Sequence, residues 1–74
     1  MRRKSVKRLK LLGNKIRTTR KSKGWSQEAF ALRADLDRSY MGGVERGERN
    51  ITFDTICMIA EALDMDLSEL LEEI

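Results

Sequence analysis

Apolar residues recur at steps of three and four along most of the chain, which is the spacing of one face of an α-helix. No stretch shows the apolar–polar alternation of a half-buried strand, and proline is absent. The pattern therefore predicts an all-α protein. We expect five helices, at about residues 7–22, 27–33, 38–45, 53–63 and from 67 onward.

Local signals at the ends of the predicted helices support these limits. Ser26 and Asp37 are residue types that favour the N-cap position. Gly24 and Gly47 suit the left-handed conformation in which many helices end. Asp35 lies in the short turn between the second and third helices, and aspartate tolerates a positive φ better than most residues other than glycine.

The apolar faces of the five predicted helices can form one small core. A chain of 74 residues has room for a single domain, residues 1–74, and residues 1–6 are expected to form a flexible basic arm. A domain of this size buries only about 60% of its unfolded surface, so dimerisation would add stability. The residues expected to face inward are Leu9, Leu12, Ile16, Thr19, Phe30, Ala31, Met41, Val44, Ile56, Ile59, Ala60, Leu63, Leu67, Leu70, Leu71 and Ile74.

Composition argues against several classes of function. The chain has no histidine and one cysteine, so it cannot build a zinc site, a Cys–His nucleophile or a disulfide framework by itself. No pair of carboxylates has an evident partner for acid–base chemistry. We therefore expect no enzyme activity, no metal, no cofactor and no small-molecule ligand. No apolar stretch approaches the roughly 20 residues of a membrane span, and no secretory signal is evident, which predicts a cytoplasmic protein without membrane contact.

Charge is distributed very unevenly along the chain. Up to Gln27 there are eleven basic residues and no acidic one, whereas from Asn50 to the end there are seven acidic residues and no basic one. This asymmetry predicts a protein that presents one face to a polyanion. Nucleic acid and an anionic membrane are the two candidate polyanions. The membrane stays a candidate because Leu9, Leu12 and Ile16 suit a membrane-surface helix as well as a core-facing one.

Two short helices joined by a tight turn are the ingredients of a helix-turn-helix. Residues 26–31 read S-Q-E-A-F-A and residues 44–47 read V-E-R-G. This combination resembles the Cro/lambda-repressor (XRE-type) family, whose pattern is S-Q-x-x-[LF]-A, a turn, and I-x-x-[LIV]-E-x-G. The resemblance covers about residues 9–71 and implies a compact five-helix bundle, a lambda-repressor-like DNA-binding domain. Residues 36–40 and 44–50 are most similar to the controller proteins of restriction-modification systems, which are small dimeric regulators.

The resemblance and the chemistry of the side chains indicate which residues meet DNA. In this motif the third helix lies in the major groove, and its first residues meet base edges. Arg38 suits guanine, whose O6 and N7 a guanidinium binds together. Tyr40 either contacts DNA or packs against the next helix, and at the glycine pair the duplex is expected to approach the backbone closely. The expected base-contact residues are Arg38, Ser39, Tyr40 and Gly43.

Phosphate contacts are expected to frame the third helix. Arg49 is also a candidate for a narrow minor groove, where the negative potential is enhanced. The resemblance implies a different role for Arg20 and Glu45, which are expected to form a buried ion pair between the first and third helices. The expected phosphate-contact residues are Gln27, Arg46, Arg49, Asn50 and Arg17.

These features predict a sequence-specific regulator of transcription that binds double-stranded DNA. Its closest resemblance implies an autoregulating controller of a restriction-modification operon, which binds a palindromic operator as a homodimer through helices four and five. A phage-type repressor and the antitoxin of a toxin–antitoxin operon use the same fold. A protein-binding adaptor is the alternative from another class, although an adaptor needs neither the basic segment nor Arg38.

Overall fold

The computed structural model describes the backbone of residues 3–74 and the side chains from Val6 onward. Over this range the chain forms helices and turns with no strand, which confirms the all-α prediction. The predicted arm at residues 1–6 lies partly outside the described residues, at positions 1 and 2. The five helices are α1 (Arg3–Ser22), α2 (Gln27–Arg33), α3 (Arg38–Glu45), α4 (Phe53–Ala62) and α5 (Leu67–Leu70).

The helix-turn-helix has the limits that its capping residues predict. The Ser26 hydroxyl accepts a hydrogen bond of 3.0 Å from the backbone N–H of Ala29, which begins α2. The Asp37 carboxylate accepts bonds from the N–H groups of Ser39 and Tyr40 at 3.0 and 3.3 Å, which begins α3. Between the two helices Asp35 has a φ of 59°, as predicted. Local hydrogen bonding therefore fixes the angle at which α3 leaves the turn.

One core joins all five helices. Ile16 of α1, Phe30 of α2, Met41 of α3 and Ile59 of α4 are completely buried. Trp25 packs beside α2, with its ring centre 5.9 Å from that of Phe30. The other buried apolar residues are Leu12, Ala31, Ala34, Val44, Ala60, Ala62, Leu63 and Leu70.

The first helix packs unusually closely against the end of α3, and Gly13 makes this contact. A Cβ atom at Gly13 would lie 2.4 Å from the carbonyl oxygen of Val44 and 2.6 Å from that of Glu45. Sequence analysis missed this role. The available signal was a glycine in the middle of a helix, where it costs about 1 kcal/mol relative to alanine and often marks a close approach.

The ends of the helical bundle differ from the sequence predictions. Helix α1 begins at Arg3 rather than near residue 7, because no helix-breaking residue precedes Gly13. Helix α5 stops at Leu70, followed by turns at residues 71–73, and Ile74 packs back against the core. No helix within residues 3–74 is long and apolar enough to cross a membrane.

Cationic side chains from the first two helices bind the carbonyl groups that end the last two. The Nε of Arg33 donates to the carbonyl oxygen of Ala62 at 2.8 Å, at the end of α4. The Nζ of Lys15 donates to the carbonyl oxygens of Glu69 and Glu72. These contacts bind carbonyl groups near the ends of the last two helices and join α2 to α4 and α1 to α5.

Candidate nucleic-acid interface

The first turn of α3 carries two exposed polar side chains, Arg38 and Ser39. Both follow directly after the cap residue Asp37, so their backbone positions are fixed while their side chains extend into solvent. The guanidinium offers paired donors and the hydroxyl offers a donor and an acceptor. This end of α3 can therefore form directional hydrogen bonds with a surface that fits against it.

A buried ion pair holds α3 in place behind this surface. The Nε and Nη2 of Arg20 donate to the two carboxylate oxygens of Glu45 at 2.7 and 3.0 Å, and the two side chains are 8% and 1% exposed. The Nη1 of Arg20 also donates to the carbonyl oxygen of Trp25 at 2.8 Å. The pair is present as the resemblance implied, and it links α1, α3 and the segment that precedes α2.

Gln27 joins this network from the first turn of α2. Its Nε2 donates to the carboxylate of Glu45 at 3.1 Å, so the half-buried side chain has a fixed orientation. The side chains of Gln27 and Arg46 both extend over Gly42, where a Cβ atom would lie 3.3 Å from the Oε1 of Gln27 and 3.1 Å from an Nη atom of Arg46. The missing side chain at Gly42 thus lets two polar groups from different elements come together beside α3.

Gly43, where the sequence predicts a close approach by DNA, lies beneath a side chain in the structure. Gly43 is buried, and the side chain of Arg49 lies across it. A Cβ atom at Gly43 would lie 2.9 Å from the Cγ and 3.1 Å from the Nε of Arg49. The guanidinium carbon of Arg49 lies 5.6 Å from the ring centre of Tyr40, which is half-buried against the core. The missing side chain at Gly43 therefore makes room for that of Arg49.

The remaining predicted contact residues are all exposed. Arg46, Arg49 and Asn50 lie in the segment that follows α3, and Arg17 lies on α1. Arg46 forms an ion pair with Glu48 at 3.0 Å, but the two side chains are 60% and 61% exposed. Such an exposed pair contributes little to stability, so Arg46 can readily exchange Glu48 for another anion. The structure thus brings Gln27, Arg46 and Arg49 together around α3 and leaves Arg17 on the neighbouring helix.

Comparison with known protein families matches residues 16–70 to the helix-turn-helix family. Among curated proteins, the chain is 43% identical over 63 residues to the control protein C.MunI of Mycoplasma sp., with 84% of this chain and 85% of the relative covered. The identity to the control protein C.BamHI of Bacillus amyloliquefaciens is also 43% over 63 residues, covering 84% and 78%.

A solved structure shows the same arrangement of helices. The restriction-modification controller protein C.AhdI of Aeromonas hydrophila superposes with a TM-score of 0.81 at 48% sequence identity. The match covers 84% of this chain and 94% of that one. The family match over residues 16–70 includes α2, α3 and the segment after α3, which carry the exposed polar residues.

Proposed function

Because this chain belongs to the helix-turn-helix family, we propose that it is a sequence-specific DNA-binding regulator of transcription that controls a restriction-modification operon. The observation that carries the proposal is the exposed start of α3, fixed from behind by the Arg20–Glu45 ion pair, in a chain similar over most of its length to controller proteins. An enzyme would need a catalytic constellation, which the residues around α3 do not offer.

Base recognition is assigned to the first turn of α3 in the major groove. Arg38 binds the O6 and N7 atoms of guanine, and Ser39 donates to a neighbouring base or phosphate. Tyr40 adds an apolar edge, although it is partly buried against the core. At Gly43 a close approach of DNA to the backbone requires the side chain of Arg49, which covers it, to move aside.

Phosphate contacts set the register of α3 without reading sequence. Gln27 offers the backbone N–H of the first turn of α2, and its side chain is held by Glu45. Beyond the end of α3, the DNA backbone is bound by Arg46, Arg49 and Asn50. A phosphate then replaces Glu48 as the partner of Arg46. Arg17 extends these contacts onto α1.

A homodimer through α4 and α5 completes the proposed regulator, because one helix-turn-helix reads only half of a palindromic operator. Phe53 at the start of α4 is 66% exposed, and Leu67, Leu71 and Ile74 are only half-buried. These apolar side chains belong to the segment of the chain that carries no basic residue and has no reason to approach DNA. The dimer binds the promoter of its own gene and that of a linked restriction endonuclease.

A gel-shift titration on the DNA upstream of the gene's own start codon tests the proposal against a shuffled duplex at two salt concentrations. Specific binding should exceed non-specific binding by at least about 10³. Arg38→Ala should lower this ratio. The corresponding loss of discrimination in binding free energy is about 1–3 kcal/mol, the value of one bidentate base contact. Arg8→Ala, which removes an exposed charge from α1, serves as the control and should leave the ratio unchanged.

Equal binding to both duplexes, with a steep dependence on salt, would contradict the proposal. The basic segment would then be a general contact for polyanions. In that case a protein-binding adaptor becomes the better description.

A further inference from the structure

A row of basic side chains runs along the outer surface of α1. It consists of Lys10, Arg17 and Lys21, here called the basic stripe, and all three residues are exposed. Their separations of seven and four positions place them on one face of a helix. The interface around α3 uses neither Lys10 nor Lys21, so two of the three charges have no assigned role.

The position of the stripe follows from the contacts of its neighbours on α1. Gly13 and Arg20, seven residues apart, form the row that faces α3. Each residue turns the helix by about 100°, so Lys10 and Arg17 lie about 60° around the helix from that row. Lys15, which binds the carbonyl groups at the end of α5, lies about 140–160° from that row, near the opposite face of the helix. The stripe therefore borders α3 on the side away from α5.

The stripe is continuous with the segment that follows α3. A Cβ atom at Gly47 would lie 2.7 Å from both the Cα and the Cγ of Lys10, so α1 and this segment touch here. Gly47 stands directly after Arg46 and two residues before Arg49. The basic residues after α3 and the basic stripe on α1 therefore form one continuous positive surface, which crosses Gly47.

The charge of the stripe is not neutralised within the described part of the chain. Between residues 6 and 74 the ion pairs are Arg20–Glu45 and Arg46–Glu48. No acidic residue precedes Glu28 in the sequence, so α1 has no carboxylate of its own. At 1.5 Å per residue, Lys10 and Lys21 stand about 16 Å apart along α1. Three cations over this length suit a rod of negative charge rather than a single small anion.

We propose that the basic stripe is a second contact with the phosphate backbone of DNA, beside the one made by the segment after α3. Lys10 and Lys21 each neutralise a phosphate, and Arg17 lies between them. The proposal rests on the proposed DNA-binding function. The stripe adds affinity and sensitivity to salt and carries no information on base sequence.

The test measures binding to the operator duplex as a function of salt, between about 50 and 200 mM. Wild type is compared with Lys10→Gln, Lys21→Gln and the double variant. Each single substitution should reduce the slope of log K against log salt by about 0.9, and the double substitution by about 1.8. Binding to a shuffled duplex should lose the same factor, so the specificity ratio stays the same.

Arg8→Gln is the matched control. Arg8 is exposed and lies two residues before Lys10, about 200° around the helix, so it removes one charge from the opposite face of α1. Its slope should equal that of wild type. At position 10 glutamine keeps the Cγ atom that lies against Gly47, and thermal unfolding verifies that each variant is folded.

Two results would overturn the inference. Equal reductions of the slope for Arg8→Gln and Lys10→Gln would mean that only net charge matters, and an unchanged slope in the double variant would mean that the stripe does not touch DNA. Binding of anionic vesicles that depends on Lys10 and Lys21, with an unchanged DNA slope, would assign the stripe to a membrane instead. A wild-type protein that does not distinguish the operator from the shuffled duplex contradicts the proposed function, whereas the slopes still test the stripe.

Discussion

Among single residues, Glu45 contributes most clearly both to stability and to the position of the proposed DNA surface. Its carboxylate accepts hydrogen bonds from Arg20 and from Gln27, so it organises three elements at once. Burial makes the pair sensitive to loss of either partner, because the remaining charge cannot reach water.

Glu45→Gln should lower the free energy of unfolding by about 3–5 kcal/mol, because it leaves the Arg20 guanidinium buried without a counter-charge. Urea unfolding followed by circular dichroism measures the change. Glu48→Gln is the matched control, since it removes one carboxylate from the exposed pair with Arg46. The control should change stability by less than about 1 kcal/mol. Similar losses in the two variants would show that burial does not set the strength of the Glu45 contact.

Gly43→Ala should separate DNA affinity from stability. Alanine favours a helix by about 1 kcal/mol over glycine, so the midpoint of thermal unfolding should stay the same or rise. The new methyl group displaces the side chain of Arg49, and operator affinity should fall about tenfold, the value of one hydrogen bond to a charged group.

A double-mutant cycle gives the control for Gly43. In an Arg49→Ala background, Gly43→Ala should cause no further loss of affinity, because no arginine remains to be displaced. Unaltered affinity in the single variant would contradict the role assigned to the glycine.

The exposure of site residues at a helix start could be predicted from the sequence, whereas contacts between side chains in different segments could not. Arg38 and Ser39 follow a cap residue, so their exposure at the start of α3 could be predicted from local chemistry. The burial of Gly43 depends on Arg49, six residues further along, and no local pattern predicts where a long flexible side chain comes to rest.

At the scale of elements, the helices with strong caps were predicted at their observed limits. Helices α2 and α3 begin after Ser26 and Asp37 in the sequence prediction and in the structure. The end of α5 was not predictable in this way, because no glycine or proline follows Leu70. In the structure the Nζ of Lys15 binds carbonyl groups at this end of the chain.

Gly13→Ala should destabilise the protein, although alanine is the better helix former. The methyl group would overlap the carbonyl oxygens of Val44 and Glu45, and backbone atoms cannot move aside as a side chain can. Overpacking of this kind costs about 1–3 kcal/mol or more, which urea unfolding measures.

Asn14→Ala is the control for the Gly13 contact, because Asn14 is the next residue on the same helix and is exposed. It should leave stability unchanged or slightly higher. If Gly13→Ala is as stable as this control, α1 does not pack on α3 at the distance observed.

At the scale of the whole molecule, apolar side chains that one small core does not cover bear on the proposed dimer. Phe53→Asp places a charge on the proposed α4–α5 interface and should convert the dimer to a monomer, since a buried unpaired charge is costly. Sedimentation equilibrium measures the change. Leu32→Asp is the control, because Leu32 lies on α2 and is 82% exposed. It should leave self-association unchanged, and equal effects of the two substitutions would argue against an interface on α4 and α5.

The charge asymmetry of the chain has a consequence for folding as well as for DNA. Arg33 and Lys15 bind the ends of α4 and α5, whose own segment from residue 50 onward has seven acidic residues and no basic one. A cut in the loop between α3 and α4 would therefore yield two fragments of opposite charge. The first fragment would carry the cationic side chains, and the second would carry the carbonyl groups that they bind. Such fragments should associate more tightly in dilute salt than in concentrated salt, because added ions screen the attraction between their opposite charges.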